Sequence, residues 1–292
     1  MSWGIMNFKK AVKNSTKFGL FSVISTAVLS LFDIKRLQVS ERDVEIPGAK
    51  PLKIAHISDL HEFSYGEKNS RLVKEIVKRK PDVICITGDM VLGTQPTVYN
   101  SLYFLQALSE LGIPVLYSIG NHELKLSEYL PEFYEDYMSK VKSYGIQVLD
   151  DARISFDGYD FYGYTNKMTQ YPRFKGLYSL KAKEITSSIG KPQNDRTTVL
   201  LAHNPLYFSA YARWGADLTL SGHLHGGIVR LPFIGGLLCP QTFISVGYTG
   251  GLYKKGTRQM FVSRGLGVHS IHIRVFNRPE LAFLNINGRG NQ

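Results

Sequence analysis

The chain has 292 residues, an ordinary apolar fraction of 43% and a formal net charge of +11. Its length allows one or two domains with a substantial core, and its charge favours anionic partners such as phosphorylated substrates, nucleic acid or an anionic membrane surface. The two cysteines, Cys85 and Cys239, are far apart and have no CxxC partner, which excludes a cysteine zinc site and a disulfide framework.

The N-terminus combines four lysines with the uncharged apolar run Phe18–Phe32. At about 15 residues the run is shorter than the roughly 20 that a membrane-spanning helix needs. It could be a signal peptide or uncleaved signal anchor, an amphipathic helix in the membrane interface, or a helix packed on the body of the protein. We expect residues 1–44 to be a membrane-associating segment with a cytoplasmic N-terminus, followed by one globular domain over residues 45–292.

Strands and helices alternate from Pro51 onward. The stretches LKIAHIS, DVICITGD and PVLYSIGNHE are predicted strands, and EKNSRLVKEIVKRK, TVYNSLYFLQALSEL and SEYLPEFYEDYMSKVKSYG are predicted helices. The first of these helices has one predicted buried face, formed by Leu72, Val73, Ile76 and Val77. This alternation predicts a sheet with parallel pairs that is covered on both faces.

The second half of the chain is richer in strands. ARISFDGYDFYGYT predicts a hairpin around Asp157-Gly158, while TTVLLAHNP and ADLTLSGHLHGG each predict a buried strand. TFISVGY, RQMFVSRG, IHIRVF and ELAFLNIN all have strand character. The order of elements predicts one α/β domain, a four-layer α-β-β-α sandwich of two mixed sheets with helices outside.

Polar residues that could bind a metal follow each of the buried strands. They are Asp59 and His61, Asp89, Asn121 and His122, His203, and His223 and His225. The carboxyl ends of strands form the ligand crevice of an open α/β sheet, so we expect these side chains to meet. A lone strand-end Asp is usually a helix cap, and a lone buried His is usually a core residue. Turn chemistry does not explain five such clusters in one register.

The residue types in this set favour a dinuclear metal site. Asp-x-His suits a metal because alternate residues of an extended chain face the same way. Carboxylates, imidazoles and one amide oxygen, without a thiolate, favour Mn, Fe or Zn, of which we prefer Mn. The residues outnumber the ligands of one tetrahedral zinc, whereas two ions about 3.5–4 Å apart with a shared carboxylate would use them all.

The blocks DLH, GD, GNHE, H and GHLH, in this order from Ile54 to Gly227, resemble the motif series of the calcineurin-like metallophosphoesterases. The N-terminal apolar segment and the block FVSRGLG are similar to the membrane-associated bacterial branch of that family. Some members in or near that branch cleave UDP-diacylglucosamine. The resemblance implies a metal-dependent phosphoester hydrolase associated with the bacterial inner membrane.

The resemblance also implies a role for each residue of the set. One ion would be held by Asp59, His61 and His225 and the other by Asn121, His203 and His223, with Asp89 shared between them. His122 would not bind metal but would protonate the leaving oxygen or stabilise the transition state, oriented by Glu123 or Asp59. A metal-bridging hydroxide would attack phosphorus in line, so no nucleophilic side chain is needed.

Other polar positions receive less specific interpretations. His56 is predicted to be a core histidine, and His269 and His272 are predicted to be surface or structural residues. Arg264 could reach a phosphate or could be a solvated strand end. Ile228 stands where many relatives carry Gln, which weakens a substrate role for that position.

The loop IVRLPFIGGLLCPQ, which follows the last histidine block, is apolar and broken by Pro and Gly. It is either a core loop or an exposed apolar lip beside the metals. Together with the N-terminal segment it predicts an amphiphilic substrate, such as a lipid-linked phosphate or diphosphate ester. The alternatives are a nuclease or soluble phosphodiesterase, and a non-catalytic metal-stabilised scaffold that binds a partner protein. The lack of a stacking platform disfavours nucleic acid, and His122 disfavours the scaffold, which needs no acid beside its metals.

Overall fold

The computed structural model describes residue 30 and residues 33–172, 178–193, 195–231, 234–237, 239, 247–268 and 273–288. Its first sheet contains β1 (Gln38–Glu45), β2 (Leu52–Ile57), β3 (Val83–Ile86), β4 (Val115–Ser118), β5 (Gln147–Leu149) and β14 (Glu280–Asn287). Their order is β1-β14-β2-β3-β4-β5, with β14 antiparallel to β2 and all other neighbours parallel.

The second sheet contains β6 (Ala152–Phe156), β7 (Tyr159–Gly163), β8 (Thr197–Leu201), β9 (Leu218–Ser221), β12 (Gly251–Lys255) and β13 (Arg258–Val262). Their order is β12-β13-β9-β8-β7-β6, with antiparallel pairs at the two edges and parallel pairs between. A separate antiparallel ribbon joins β10 (Val229–Leu231) and β11 (Gly235–Leu237). The helices are α1 (Ser70–Arg79), α2 (Tyr99–Ser109), α3 (Asn121–Tyr129), α4 (Pro131–Ser143), α5 (Ala182–Ile189) and α6 (Phe208–Trp214).

The two sheets pack face to face, and helices cover their outer faces. One apolar cluster joins Ile54, Cys85 and Leu116 of the first sheet to Phe161 and Val199 of the second. Alternate residues of the same strands point outward, where the first sheet packs on α1 to α4 and the second on α5 and α6. The predicted four-layer sandwich of two mixed sheets is therefore confirmed.

The folded domain extends further toward the N-terminus than predicted. β1 pairs with β14 along its eight residues, so residues 38–44, which were assigned to the N-terminal segment, belong to the first sheet. The sequence QVSERDVE gives little sign of this strand because it is an edge strand with mostly exposed polar side chains.

Several local predictions are corrected in the same way. Val77 is 51% exposed although it was predicted to be buried; it lies about 100° around the helix from Ile76, outside the narrow face that packs on the sheet. α3 begins directly at Asn121, so His122 lies in a helical turn and not on a strand. Of IHIRVF, residues 273–276 are described and contain only an isolated bridge, from Val275 to Val229. Most of TFISVGY lies outside the described residues.

The predicted hairpin is confirmed: β6 and β7 are antiparallel and are joined by Asp157 and Gly158, both with positive φ. Both cysteines are free and buried. No helix among the described residues has the length and apolarity needed to cross a membrane. Apart from Ser30, the run Phe18–Phe32 lies outside those residues.

Candidate metal centre

The loops that follow five parallel strands, β2, β3, β4, β8 and β9, meet at one edge of the sandwich and carry the predicted site residues. The structure gathers potential ligand atoms in three overlapping groups, each within 4.8 Å: Asp59, His61 and His225; His61, Asp89 and His122; and Asp89, His203 and His223. Residues that are up to 166 positions apart in the sequence thus share one buried cluster.

One half of the cluster consists of Asp59, His61 and His225. Oδ1 of Asp59 lies 3.3 Å from Nε2 of His225, which lies 3.1 Å from Nε2 of His61. The two imidazole rings are stacked, with centroids 5.0 Å apart. A carboxylate oxygen and two imidazole nitrogens therefore converge on one point, as the ligands of a transition-metal ion must.

Asp89 connects this half to the other one. Its Oδ2 lies 3.7 Å from Nε2 of His61 and 3.1 Å from Nε2 of His203, and the rings of His203 and His223 have centroids 5.2 Å apart. Nδ1 of His203 donates a hydrogen bond to the Thr87 carbonyl at 2.5 Å. The lone pair of a neutral His203 ring is then on Nε2, directed at Asp89, as metal binding through that atom requires.

Asn121 begins α3 beside Gly120, where a Cβ would lie only 2.4 Å from Oδ1 of Asp89. The amide Oδ1 of Asn121 is buried and has no hydrogen-bond partner among the described residues. Leaving such an oxygen without a partner costs free energy, and a cation beside Asp89 would supply the missing contact. The residues present therefore fit the predicted pair of ions.

His122 is close to the cluster but has a different tautomer from a ligand. The N–H of Gly93 donates to Nδ1 of His122 at 2.9 Å, so the proton of a neutral ring is on Nε2. Its ring centroid lies 4.5 Å from that of His61, within reach of the ligand set. Because Nδ1 accepts from Gly93 and Nε2 carries the proton, the neutral ring can stabilise a transition state by donating a hydrogen bond, which is one of its two predicted roles, and offers no free lone pair to a metal.

The Nδ1 partner of His122 is the backbone of Gly93, and not Glu123 or Asp59, which were predicted to orient the ring. Glu123 accepts four hydrogen bonds of 2.7–2.9 Å, from the N–H groups of Asp89, Met90 and Gly120 and from the hydroxyl of Tyr117. Glu123 thus holds the loop that carries Asp89.

Five of the predicted ligands have left-handed backbone conformations: Asp59, His61, Asp89, His223 and His225, with φ between 47° and 71°. Such conformations are uncommon for residues other than glycine and cost on the order of 1–3 kcal/mol each. They turn the chain sharply after each strand, which directs these side chains into one cluster.

The charges of the cluster without a bound cation are uneven. Burial raises the pKa of Asp59 to about 7. Asp89 is also buried, but the imidazoles of His203 and His122 hold its pKa well below its usual range. Burial would lower the pKa of His203, but attraction to Asp89 and Asp59 raises it to about 9. Asp89 and His203 therefore form a buried ion pair that a metal would replace by displacing the His203 proton.

Two buried residues beside His225 were not predicted. The guanidinium of Arg274, a residue that is 2% exposed, donates to the carbonyls of Arg264 and Gly265 and lies 3.4 Å from Nδ1 of His225. The side-chain amide of Asn277 donates to the His225 carbonyl at 2.7 Å. They fix the turn that carries His225, yet nothing in the pattern IHIRVFN distinguishes them from strand residues.

His56 and Arg264, two further residues that the sequence singles out, lie outside the cluster. His56 is a fully buried core histidine, as predicted, and its Nε2 is 2.8 Å from the Thr87 hydroxyl. Arg264 pairs with Glu280 at 3.2 Å, which compensates its charge. His269 and His272 lie outside the described residues.

Gly222 allows the last strand end to approach Asp59. A Cβ on Gly222 would lie 1.9 Å from Oγ of Ser58 and 2.2 Å from Oδ2 of Asp59.

We expect Gly222→Ala to displace Asp59 from His225 and to weaken binding of one ion by at least about 10-fold. Metal content after dialysis measures this. Gly112→Ala, where a Cβ meets nothing within 4 Å, is the control and should affect stability only. Retention of two tightly bound ions by Gly222→Ala would contradict the expectation.

A four-layer sandwich that gathers two carboxylates and several imidazoles at its strand ends carries the ligand set of a metal-dependent enzyme. The model of the calcineurin-like phosphoesterase family matches residues 52–227, and the chain belongs to that family. It is a metallophosphoesterase, a hydrolase of phosphoester bonds, from a family that depends on a dinuclear metal centre.

Two relatives of the chain are named as phosphoesterases. The chain is 28% identical over 250 residues to the uncharacterized metallophosphoesterase YkuE of Bacillus subtilis, covering 82% of this chain and 80% of that protein. It is 27% identical over 243 residues to the phosphodiesterase YaeI of Escherichia coli K12, covering 82% and 83%. A solved dimetal phosphatase from Danio rerio aligns at 11% identity with a TM-score of 0.43, covering 74% of this chain and 88% of that one.

Proposed function

We propose that this metallophosphoesterase hydrolyses a lipid-linked phosphate or diphosphate ester at a membrane surface. It would use two divalent transition-metal ions, of which Mn is preferred. The observation that supports the lipid substrate is an exposed group of apolar side chains next to the segment that holds His225.

We call three residues the apolar rim: Ile234, Ile273 and Phe276, which are 64%, 41% and 60% exposed. Ile234 lies in the turn of the β10–β11 ribbon, which is bridged at Val229 to Val275 in the segment that carries the other two. In that segment, Ile273 and Phe276 directly precede Arg274 and Asn277, the two buried residues that contact His225. Burying one such side chain in hydrocarbon contributes about 1.5–3 kcal/mol. A cluster of exposed apolar residues beside a catalytic site favours binding to a membrane or to an amphiphilic substrate.

The end of the N-terminal apolar run reaches the same segment. The backbone N–H of Arg274 donates to the Ser30 hydroxyl at 2.9 Å, and Asp33 lies 3.6 Å from the guanidinium of Arg278. If the run Phe18–Phe32 binds the membrane, these contacts would hold the apolar rim and the metal cluster near its surface. We infer that this apolar run associates the chain with a membrane.

The charge around the site favours a substrate with several negative charges. Nη1 of Arg230 is buried without a hydrogen-bond partner among the described residues. Burial lowers the pKa of Arg230, and the nearby charge of Arg264 lowers it further. A guanidinium with unused donors suits a phosphate, which can accept two parallel hydrogen bonds. The name of the relative YaeI, a phosphodiesterase, supports a diester as the substrate.

Different residues of the chain would contribute to different parts of the reaction. Two bound ions would activate a water and neutralise charge on the phosphoryl group. The Nε2–H of His122, whose position is fixed by the contact between Nδ1 and Gly93, can donate a hydrogen bond to the leaving oxygen and stabilise the negative charge that develops there. Glu123 keeps the Asp89 loop in place, and Arg274 and Asn277 keep the His225 turn in place.

The lipid hypothesis is tested with the apolar rim. We expect the double substitution Ile273→Ser and Phe276→Ser to lower binding to phosphatidylglycerol vesicles by at least about 10-fold, because two apolar side chains no longer enter the membrane. The ratio of hydrolysis of a lipid-linked diester to that of bis-p-nitrophenyl phosphate should fall with it. Val77→Ser, at an exposed apolar position on α1, is the matched control.

Deletion of residues 1–29 complements this substitution and leaves β1 intact, since that strand begins at Gln38. Equal hydrolysis of soluble and lipid-linked esters, with vesicle binding unchanged by the deletion, would refute the lipid substrate. Absence of hydrolysis of any phosphoester by the metal-loaded protein would instead favour the scaffold.

A further inference from the structure

Tyr171 packs on the half of the cluster that contains His203 and His223. Its ring centroid lies 4.9 Å from that of His223, at an interplanar angle of 68°, and 6.3 Å from that of His203. The residue is half-buried, but its hydroxyl oxygen is buried and has no hydrogen-bond partner in the part of the chain that the structure describes. Surface tyrosines usually keep the hydroxyl in water and bury the ring, so this phenol has the opposite orientation.

The hydroxyl of Tyr171 contributes no hydrogen bond to the described part of the fold. The neighbouring polar groups bond to one another: Tyr211 donates to the Asn204 carbonyl at 2.9 Å, and Tyr207 donates to the Gln170 carbonyl at 2.7 Å. A buried hydroxyl without a partner costs free energy, and phenylalanine would fill the same space without that cost. Groups of this kind occur at functional sites, where a ligand supplies the missing partner.

Tyr171 lies beside the metal cluster, because its ring packs on the rings of His223 and His203. An ordinary phenol is protonated at neutral pH, so the buried hydroxyl is available as a hydrogen-bond donor. An acceptor that enters the cluster from the side of His203 and His223 would complete its hydrogen bonding.

We propose that the Tyr171 hydroxyl donates a hydrogen bond to a phosphoryl oxygen of the bound ester, on the side of the site formed by His203 and His223. The inference rests on the proposed phosphoester hydrolysis and adds a substrate-contacting residue from outside the strand-end motifs. A fixed neutral donor in a water-excluded site stabilises the charge that develops on the phosphoryl oxygens without rearranging during the reaction.

The test compares Tyr171→Phe with the wild type in the full, metal-loaded chain. Orthophosphate affinity, measured by calorimetry, is expected to fall by about 10-fold, the effect of losing a hydrogen bond to a charged group. The kcat/KM for bis-p-nitrophenyl phosphate should fall by about 100-fold. The melting temperature should stay the same or rise, because the substitution removes a polar group without a partner.

Tyr211→Phe is the matched control, since the hydroxyl of Tyr211 is bonded within the protein. It should lower the melting temperature and leave phosphate affinity as in the wild type. Wild-type phosphate affinity in Tyr171→Phe, or a loss of stability like that of Tyr211→Phe, would overturn the proposal. If the wild type hydrolyses no phosphoester, the proposed function fails, and the phosphate titrations still decide the role of Tyr171.

Discussion

Replacing Asp89 by asparagine is expected to lower phosphoester hydrolysis by at least about 1,000-fold. Oδ2 of Asp89 approaches both halves of the cluster, at 3.7 Å from His61 and 3.1 Å from His203. The amide of asparagine has the same shape but no charge, so its oxygen attracts two cations at once much more weakly than a carboxylate oxygen does. The several kcal/mol of transition-state stabilisation that two ions provide would be lost with the second ion.

The measurement is hydrolysis of bis-p-nitrophenyl phosphate with added Mn²⁺, together with the number of ions bound per chain. Asp160→Asn is the matched control: Asp160 is also fully buried and pairs with Arg196 at 2.9 Å, but it lies outside the cluster. That control should lower stability and keep its activity per folded molecule. An Asp89→Asn variant with two bound ions and wild-type activity would exclude the shared-ligand role.

The positions of the metal-site residues could be predicted because each depends on a local pattern. Asp59, Asp89 and His203 each follow a short apolar run that reads as a buried strand, and parallel strands bring their carboxyl ends to one edge. The prediction needed no knowledge of which side chains touch. The assignment of the two imidazoles of GHLH to different ions came instead from the resemblance to the calcineurin-like family, and the structure has them in different groups of the cluster.

The parts that escaped prediction depend on contacts between distant segments. β1 is recognisable only through its pairing with β14; Ser40, for example, donates to Glu280 across 240 positions. Arg274 lies in a stretch whose alternation reads as a strand, but its guanidinium is buried among loop carbonyls. Tyr171 occurs in the stretch TQYPRF, without any periodicity, and its importance lies in a missing partner, which only the packing shows.

The hydrogen bond from Gly93 also escaped prediction, and it changes how His122 is understood. Glu123 or Asp59 was predicted to orient the ring; a carboxylate partner on Nδ1 would require a proton on that atom and leave a lone pair on Nε2. The backbone N–H of Gly93 imposes the reverse tautomer, with the proton on Nε2. The neutral ring therefore presents an N–H that can donate a hydrogen bond to a leaving oxygen, and the same contact keeps Nδ1 from binding a metal.

His122→Gln is accordingly expected to lower kcat by about 100- to 1,000-fold for esters with alkyl leaving groups, because the leaving oxygen loses a fixed hydrogen-bond donor. For p-nitrophenyl esters the loss should be much smaller, because p-nitrophenolate spreads its negative charge over the ring and needs less stabilisation. Both ions should remain bound, since the tautomer of His122 keeps it from serving as a ligand. The measurement is kcat over a series of diesters whose leaving groups differ in pKa, with the metal content determined for each variant.

His203→Ala provides the contrast, because His203 directs a lone pair into the cluster. Its loss should remove an ion and reduce hydrolysis of all esters to a similar degree, whatever the leaving group. A steeper dependence of the rate on leaving-group pKa in His122→Gln than in the wild type would identify His122 as the group that stabilises the leaving oxygen. An unchanged slope, or the loss of an ion from His122→Gln, would instead place His122 among the ligands or the purely structural residues.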